Sequence, residues 1–188
     1  MQGYLTMIHE TMDQLDGAPP THVFLQCGVG SFAASIAAYL VERFGSDRPA
    51  VFLVEPEGAA CGMAAMKRNE RSPPRLDTAP QTFMAGLSCG QLSASAWTIL
   101  RRHVDGWMTC ADEVSRSGMR RLARPVAGDL PVVSGESGAV TTGLVATVCA
   151  NHEHSSIREQ LRLGAAATVL LISTEGATDE QIYRSVVR

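Results

Sequence analysis

The sequence predicts an α/β domain, with a mostly parallel twisted sheet and helices on both faces. Three observations carry that prediction. Apolar runs at 23–27, 50–54 and 167–172 are short and continuous, as in strands buried on both faces, and lack the alternation of a half-exposed antiparallel sheet. Helical spacing fills the intervals between them, joined by short connections. Glycines cluster where apolar runs give way to helical segments, notably Gly28-Val29-Gly30 and Gly135-Glu136-Ser137-Gly138. A length of 188 residues suits one sizeable core, so 1–188 is expected to form a single α/β domain.

The elements follow in order. Tyr4, Leu5, Ile8, Met12 and Leu15 place a helix over 3–16, and Gly17-Ala18-Pro19-Pro20 stops it. Residues 23–27 form a strand and 31–44 an alanine-rich helix, with Gly45 as its C-terminal signal. A strand over 50–54 leads to a helix over 58–66, then to a polar, proline-bearing loop or irregular strand over 67–80. Helices are expected over 82–90 and 95–103, and a strand over 107–110. A helix over 111–123 carries Asp112 and Glu113 where its N-terminal dipole favours negative charge. A strand over 131–133, helices over 137–150 and 156–163, a strand over 167–172 and a helix over 179–187 complete the chain.

Bulk properties exclude several classes. The formal net charge of −3 gives no basic surface for nucleic acid. No apolar run approaches the roughly 20 residues of a membrane helix, and the first ten residues lack the pattern of a signal peptide. The five cysteines, Cys27, Cys61, Cys89, Cys110 and Cys149, form no CxxC pair and read as reduced, mostly buried residues of a cytoplasmic protein. His152 and His154 form an HxH pair with no third ligand nearby in sequence, so no metal site is expected.

Three strings bear on chemistry. In Gly28-Val29-Gly30-Ser31-Phe32 the glycines permit a tight turn and close backbone approach, and the helix that follows offers unpaired N–H groups suited to a phosphate. Ser31 adds a hydroxyl. A βα turn required only by packing is the competing account. Val133-Ser134-Gly135-Glu136-Ser137-Gly138-Ala139 sits at an expected strand-to-helix junction, where small residues leave room for a planar ring beside Glu136; a plain helix cap at Ser134 or Ser137 competes. Ile172-Ser173-Thr174-Glu175-Gly176 ends a strand in two hydroxyls, either able to hydrogen-bond a heteroaromatic nitrogen; a loop leading to a Thr178 cap competes. In a parallel sheet, motifs at successive strand ends share one location and make a coherent wall.

With those strings in place, the chain resembles the 2,3-diaminopropionate ammonia-lyases. These are pyridoxal-phosphate (PLP) enzymes of the tryptophan-synthase-β and threonine-dehydratase fold group. The resemblance is carried by Met1-Gln2-Gly3-Tyr4, Thr21-His22-Val23-Phe24-Leu25-Gln26, Gly28-Val29-Gly30, Val54-Glu55-Pro56, Met84-Ala85-Gly86-Leu87, Ser134 to Val140 and Ile172-Ser173-Thr174-Glu175-Gly176. It spans the whole chain but only the C-terminal half of such an enzyme, the large domain that binds the cofactor phosphate. It implies α,β-elimination of 2,3-diaminopropionate to pyruvate and ammonia, with PLP as electron sink. By matching position, Gly28, Val29, Gly30, Ser31 and Phe32 cradle the phosphate, Glu136 lies near the ring, and Ser173 or Thr174 faces the pyridine nitrogen. The intact enzyme is expected to be a homodimer.

The same resemblance places the Schiff-base lysine upstream of the match to Met1, which is expected to be an internal methionine of a longer protein. The only lysine, Lys67, lies in the polar string Met66-Lys67-Arg68-Asn69-Glu70-Arg71 and reads as a solvated surface residue. No catalytic residue is therefore assigned, and the chain alone is expected to be inactive and to self-associate through apolar surface. The alternatives are a non-catalytic binder of PLP or another phosphorylated ligand, a serine or threonine dehydratase-like lyase, and a fragment that works only with a separately encoded half. Cys27 beside the loop has two readings: a thiol made acidic by the helix terminus, or a packing residue.

Overall fold

The computed structural model describes residues 1–15, 19–68 and 71–188. Asp16, Gly17 and Ala18 at the expected first helix stop, and Asn69 and Glu70 in the expected polar loop, lie outside the described residues. Helix α1 (Gly3–Gln14) precedes strand β1 (His22–Gln26) and helix α2 (Ser31–Phe44). Strand β2 (Ala50–Pro56), a short 3-10 turn and helix α3 (Cys61–Arg68) follow. Then come α4 (Ala94–His103), β3 (Gly106–Cys110), α5 (Asp112–Ala123), α6 (Val140–Ala150), α7 (Ser155–Gln160), β4 (Val169–Leu171) and α8 (Glu180–Val187).

The four strands form one sheet in the order β3-β2-β1-β4, and all three pairings are parallel. All five residues of β1 are buried, as the continuous apolar run requires of a central strand. Side chains alternate between the two faces. Val23, Leu25, Val51 and Leu53 pack with Ile8 of α1, Ile36 and Leu40 of α2, and Trp97 and Leu100 of α4. On the opposite face Phe24, Phe52 and Val54 pack with Val140, Leu144 and Val148 of α6. Full burial of such a side chain stabilises by roughly 1.5–3 kcal/mol, so these two layers fix where the strand ends stand.

Helices α5 and α6 cross with their backbones in contact. A Cβ at Gly143 would stand 1.9 Å from the Val114 carbonyl oxygen, and one at Gly118 would stand 2.1 Å from the Ala139 carbonyl oxygen. The glycines thus set the position of the turn that enters α6.

Several expected elements differ, and in most of them backbone groups find partners outside the expected element. Residues 82–90 are not helical beyond a 3-10 turn at Ala85–Leu87. The Asp112 carboxylate accepts the N–H of Phe83 at 2.7 Å and the Thr82 hydroxyl at 2.5 Å, so it pins this segment. The expected helix over 58–66 is divided: a 3-10 turn at Glu57–Ala59, then α3, whose Gly62 and Met63 N–H groups are taken by Glu55. No strand forms at 131–133, where Val132 N–H bonds to Leu122 and the segment exposes Leu130 and Val133. Helix α6 begins at Val140, three residues later than expected, and α7 ends at Gln160. The last helix is capped by Asp179, whose carboxylate accepts the N–H groups of Gln181 and Ile182; Thr178 takes no part in that cap.

Candidate functional site

The carboxyl ends of β1 and β4 open onto a cleft of about 250 Å³. It is lined by Tyr4, Gln26, Gly28 to Phe32, Gly86, Leu87, Ser137, Thr174 and Glu175. A larger hollow of about 480 Å³ lies along the edge strand β3, away from the 28–32 loop.

The floor is the 28–32 loop. Gly30 stands at the N-cap of α2 with φ 85°, a left-handed conformation that costs an L side chain roughly 1–2 kcal/mol. A Cβ there would meet Leu100 at 3.0 Å and Leu92 at 3.1 Å. At Gly28 a Cβ would meet the Gly86 carbonyl oxygen at 3.0 Å and the Cys89 sulfur at 3.1 Å. A side chain at either glycine would press on its neighbours, in keeping with the account in which packing alone calls for this turn. The same geometry also leaves the first N–H groups of α2 without helical partners beside the cleft, because the helical ladder begins with Ala34 bonding to Gly30. The two accounts describe one loop.

The far wall comes from two loops. Ser137 Oγ accepts the Gly86 N–H at 3.0 Å. The Glu175 carboxylate accepts the N–H groups of Ser137 and, at 3.1 Å, Gly138. Neither Ser134 nor Ser137 caps α6; Ala139 occupies its N-cap without a side-chain bond, and the turn before it is tied from the chain beyond β4. Ser134 to Ala139 therefore reaches the cleft without lying at a strand end, contrary to expectation, since no strand precedes it.

The eight residues singled out from sequence divide accordingly. Gly28, Val29, Gly30, Ser31, Phe32 and Thr174 line the cleft. Glu136 is buried at 7% exposure and is not among the lining residues; its carbonyl accepts the Ser115 hydroxyl. Ser173 is also outside the lining, with Ser134 Oγ at 2.8 Å and the Glu175 carbonyl at 3.3 Å as acceptors for its one proton. Thr174 Oγ1 instead accepts Gln26 Nε2 at 2.7 Å. Sequence reasoning missed Gln26, Ser137 and Glu175 as individual site residues. The one available signal was a polar residue, Gln26, ending an otherwise apolar buried run.

Beneath the loop lies a cluster no sequence spacing indicated. Cys27 and Cys61 sulfurs stand 3.9 and 3.8 Å from the Gly28 carbonyl oxygen, and Cys89 packs against the same glycine. Burial, with Glu55 nearby, pushes the Cys27 thiol well above its ordinary range. Burial raises Cys61 to about 12. Full burial therefore favours the packing reading of Cys27 over the acidic one. Glu55 itself is fully buried and accepts Gly62 N–H at 2.7 Å and Met63 N–H at 2.8 Å. Burial pushes its carboxyl up to about 7, against the pull of those two donors. Lys67 is exposed in the last turn of α3 and does not line the cleft.

Comparison with known proteins shows the family and the fold. The family model described as pyridoxal-phosphate dependent enzyme matches residues 1–175. The chain is 39% identical over 191 residues to the diaminopropionate ammonia-lyase of Salmonella typhimurium, covering 100% of this chain and 47% of that protein. The crystal structure of the Escherichia coli diaminopropionate ammonia-lyase in complex with an aminoacrylate-PLP azomethine reaction intermediate superposes with a TM-score of 0.91 at 39% identity, over 99% of this chain and 47% of that one. Threonine deaminase isoform 2 from Solanum lycopersicum, 18% identical, shares the fold with a TM-score of 0.76, over 98% of this chain and 48% of that one. The chain thus spans about half the length of the relatives it matches. Among the described residues, no helix is long and apolar enough to cross a membrane.

Proposed function

Because the chain belongs to the family of pyridoxal-phosphate dependent enzymes, we propose that its cleft holds the phosphate and ring of PLP. We propose further that the complete protein eliminates ammonia from 2,3-diaminopropionate to give pyruvate. The observation that carries the cofactor reading is the 28–32 loop: its glycines pack closely against Gly86, Leu92 and Leu100, and it opens onto N–H groups at the start of α2 that have no helical partner. The residues fit the group. Backbone N–H groups of 29–32 and the Ser31 hydroxyl would receive the phosphate, Thr174 would face the pyridine nitrogen, and Ser137 and Gly86 would bound the ring. When bound, PLP supplies an electron sink for the charge left as the substrate's α-proton departs. The chain's own residues orient that group and leave a neutral hydroxyl, rather than a carboxylate, at its ring nitrogen. Thr174 is favoured over Ser173 for this place, because it lines the cleft with its hydroxyl proton uncommitted.

No lysine of this chain stands in the cleft, Lys67 being on the far end of α3. The covalent and proton-handling groups are proposed to belong to sequence outside these 188 residues, with the chain alone binding PLP non-covalently and turning over nothing. A cleft of about 250 Å³, below the roughly 300–1,000 Å³ of complete small-molecule sites, supports a one-sided site. The complete enzyme is proposed to be a homodimer in the cytoplasm, where its free thiols persist.

The test is a visible spectrum of the purified chain with PLP, followed by borohydride reduction and peptide mass spectrometry. Saturable binding without a site-specific reduced adduct is expected. An adduct at Lys67 overturns the assignment of that lysine as inert, and no saturable binding overturns the cofactor reading. Pyruvate formation from 2,3-diaminopropionate, assayed with the chain alone and mixed with the N-terminal half of a relative, tests the reaction; no gain on mixing counts against it.

A further inference from the structure

We propose that Gln26 is a positioning residue that fixes the Thr174 hydroxyl as a hydrogen-bond donor into the cleft, toward the ring nitrogen of the cofactor. The proposal rests on the cofactor reading above. Gln26 ends β1 at 4% exposure, and its Nε2 donates to two acceptors: the Ile172 carbonyl oxygen at 2.9 Å and Thr174 Oγ1 at 2.7 Å. A carbonyl oxygen can only accept, so Ile172 dictates which face of the amide it meets. That choice sends the second amide proton to Thr174, where it occupies a lone pair. The Thr174 proton must then point elsewhere, and Thr174 lines the cleft.

The cost of this arrangement argues against a merely structural tie. Among the described residues Gln26 Oε1 is buried without a partner, a condition that costs roughly 1–3 kcal/mol. The strands it would join are already paired by backbone bonds from His22 with Val169 to Phe24 with Leu171. What the amide adds is direction: a hydroxyl that offers a proton, matched to a ring nitrogen that accepts one. Without Gln26 the Thr174 hydroxyl is free to rotate and present a lone pair to the ring instead, favouring a protonated nitrogen.

The experiment is ¹⁵N NMR of PLP labelled at the pyridine nitrogen, bound at saturation to the chain and titrated with pH. Gln26→Met keeps length and burial but removes the donor; Gln26→Glu replaces donor by acceptor and serves if the first variant does not fold. In either, the midpoint of ring-nitrogen protonation is expected to rise by about one pH unit, a tenfold change in that equilibrium. In a Thr174→Val background the same Gln26 substitution should produce no further shift, since its action passes through the hydroxyl. An unchanged midpoint with PLP bound overturns the role of Gln26 alone, as does an equal shift in the Thr174→Val background. A ring-nitrogen signal identical to free PLP in the unmodified chain overturns the cofactor reading and this proposal with it.

Discussion

Ser137 Oγ accepts the backbone N–H of Gly86 at 3.0 Å, so two loops separated by 51 residues meet through one hydroxyl at the wall of the cleft. Ser137→Ala strands that N–H without its partner. The expected loss is about 1–3 kcal/mol of folding stability, read by urea unfolding, with weaker PLP binding in the same variant. Unchanged stability and binding would show that the bond contributes nothing to the wall.

Glu175 acts on the same wall from the opposite side, receiving the N–H groups of Ser137 and Gly138 on one carboxylate. Hydrogen bonds to a charged group contribute about 1.5–3 kcal/mol each. Glu175→Ala should therefore destabilise by about 3 kcal/mol. Glu175→Gln, which keeps an oxygen acceptor and loses only the charge, should lose about 1 kcal/mol. Equal losses in the two variants, measured by chemical denaturation, would contradict a role for its acceptor oxygens in holding the turn before α6.

Two glycines with positive φ offer an internal comparison. At Gly30 an alanine meets both backbone strain and the side chains of Leu92, Ala96 and Leu100; at Gly45, φ 56°, it meets nothing within 4 Å. Gly45→Ala should cost about 1–3 kcal/mol from backbone strain alone, since its φ of 56° is paired with a ψ of −123°, and Gly30→Ala about 2–4 kcal/mol because crowding adds to the strain of its left-handed conformation. Thermal unfolding of both variants checks the order. Gly30→Ala should also weaken PLP binding, whereas Gly45→Ala should not.

Glu55 makes stability depend on pH. Burial pushes its carboxyl from 4.5 up to about 7, so between those values the folded protein holds a proton that the unfolded chain has released. Raising the pH then favours unfolding: the contribution is intact below about pH 4.5, falls through the window and is lost above about pH 7. Its full size is on the order of 3 kcal/mol. Glu55→Gln does not titrate and should flatten this part of the curve, checked by urea unfolding at about pH 5 and pH 8. Identical pH slopes in the two proteins would sink the assignment.

Sequence alone determined the parallel α/β class, because buried strands and amphipathic helices are written in local patterns of apolar residues. It set α2 at 31–44 with Gly45 at its end, and it located the 28–32 loop, since a strand, a glycine turn and a helix are contiguous in the chain. It failed where a segment's backbone is satisfied from afar. Residues 82–90 resemble a helix by spacing, but Asp112 holds them open; 131–133 resemble a strand, but no neighbouring strand pairs with them.

Only the tertiary structure decided which polar groups face the cleft. Ser173 and Thr174 are indistinguishable as adjacent hydroxyls in sequence. Folding places the first beside Ser134 and the second beside Gln26, so one proton is spent inside the wall and the other remains to be offered. Likewise Glu136 stood out by its small neighbours, yet Glu175 is the carboxylate that lines the cleft and holds the turn before α6. Hydrogen-bond partners separated by 37 to 148 residues leave no periodic trace in the chain; they exist only once β1 and β4 lie side by side and bring their carboxyl ends to one place.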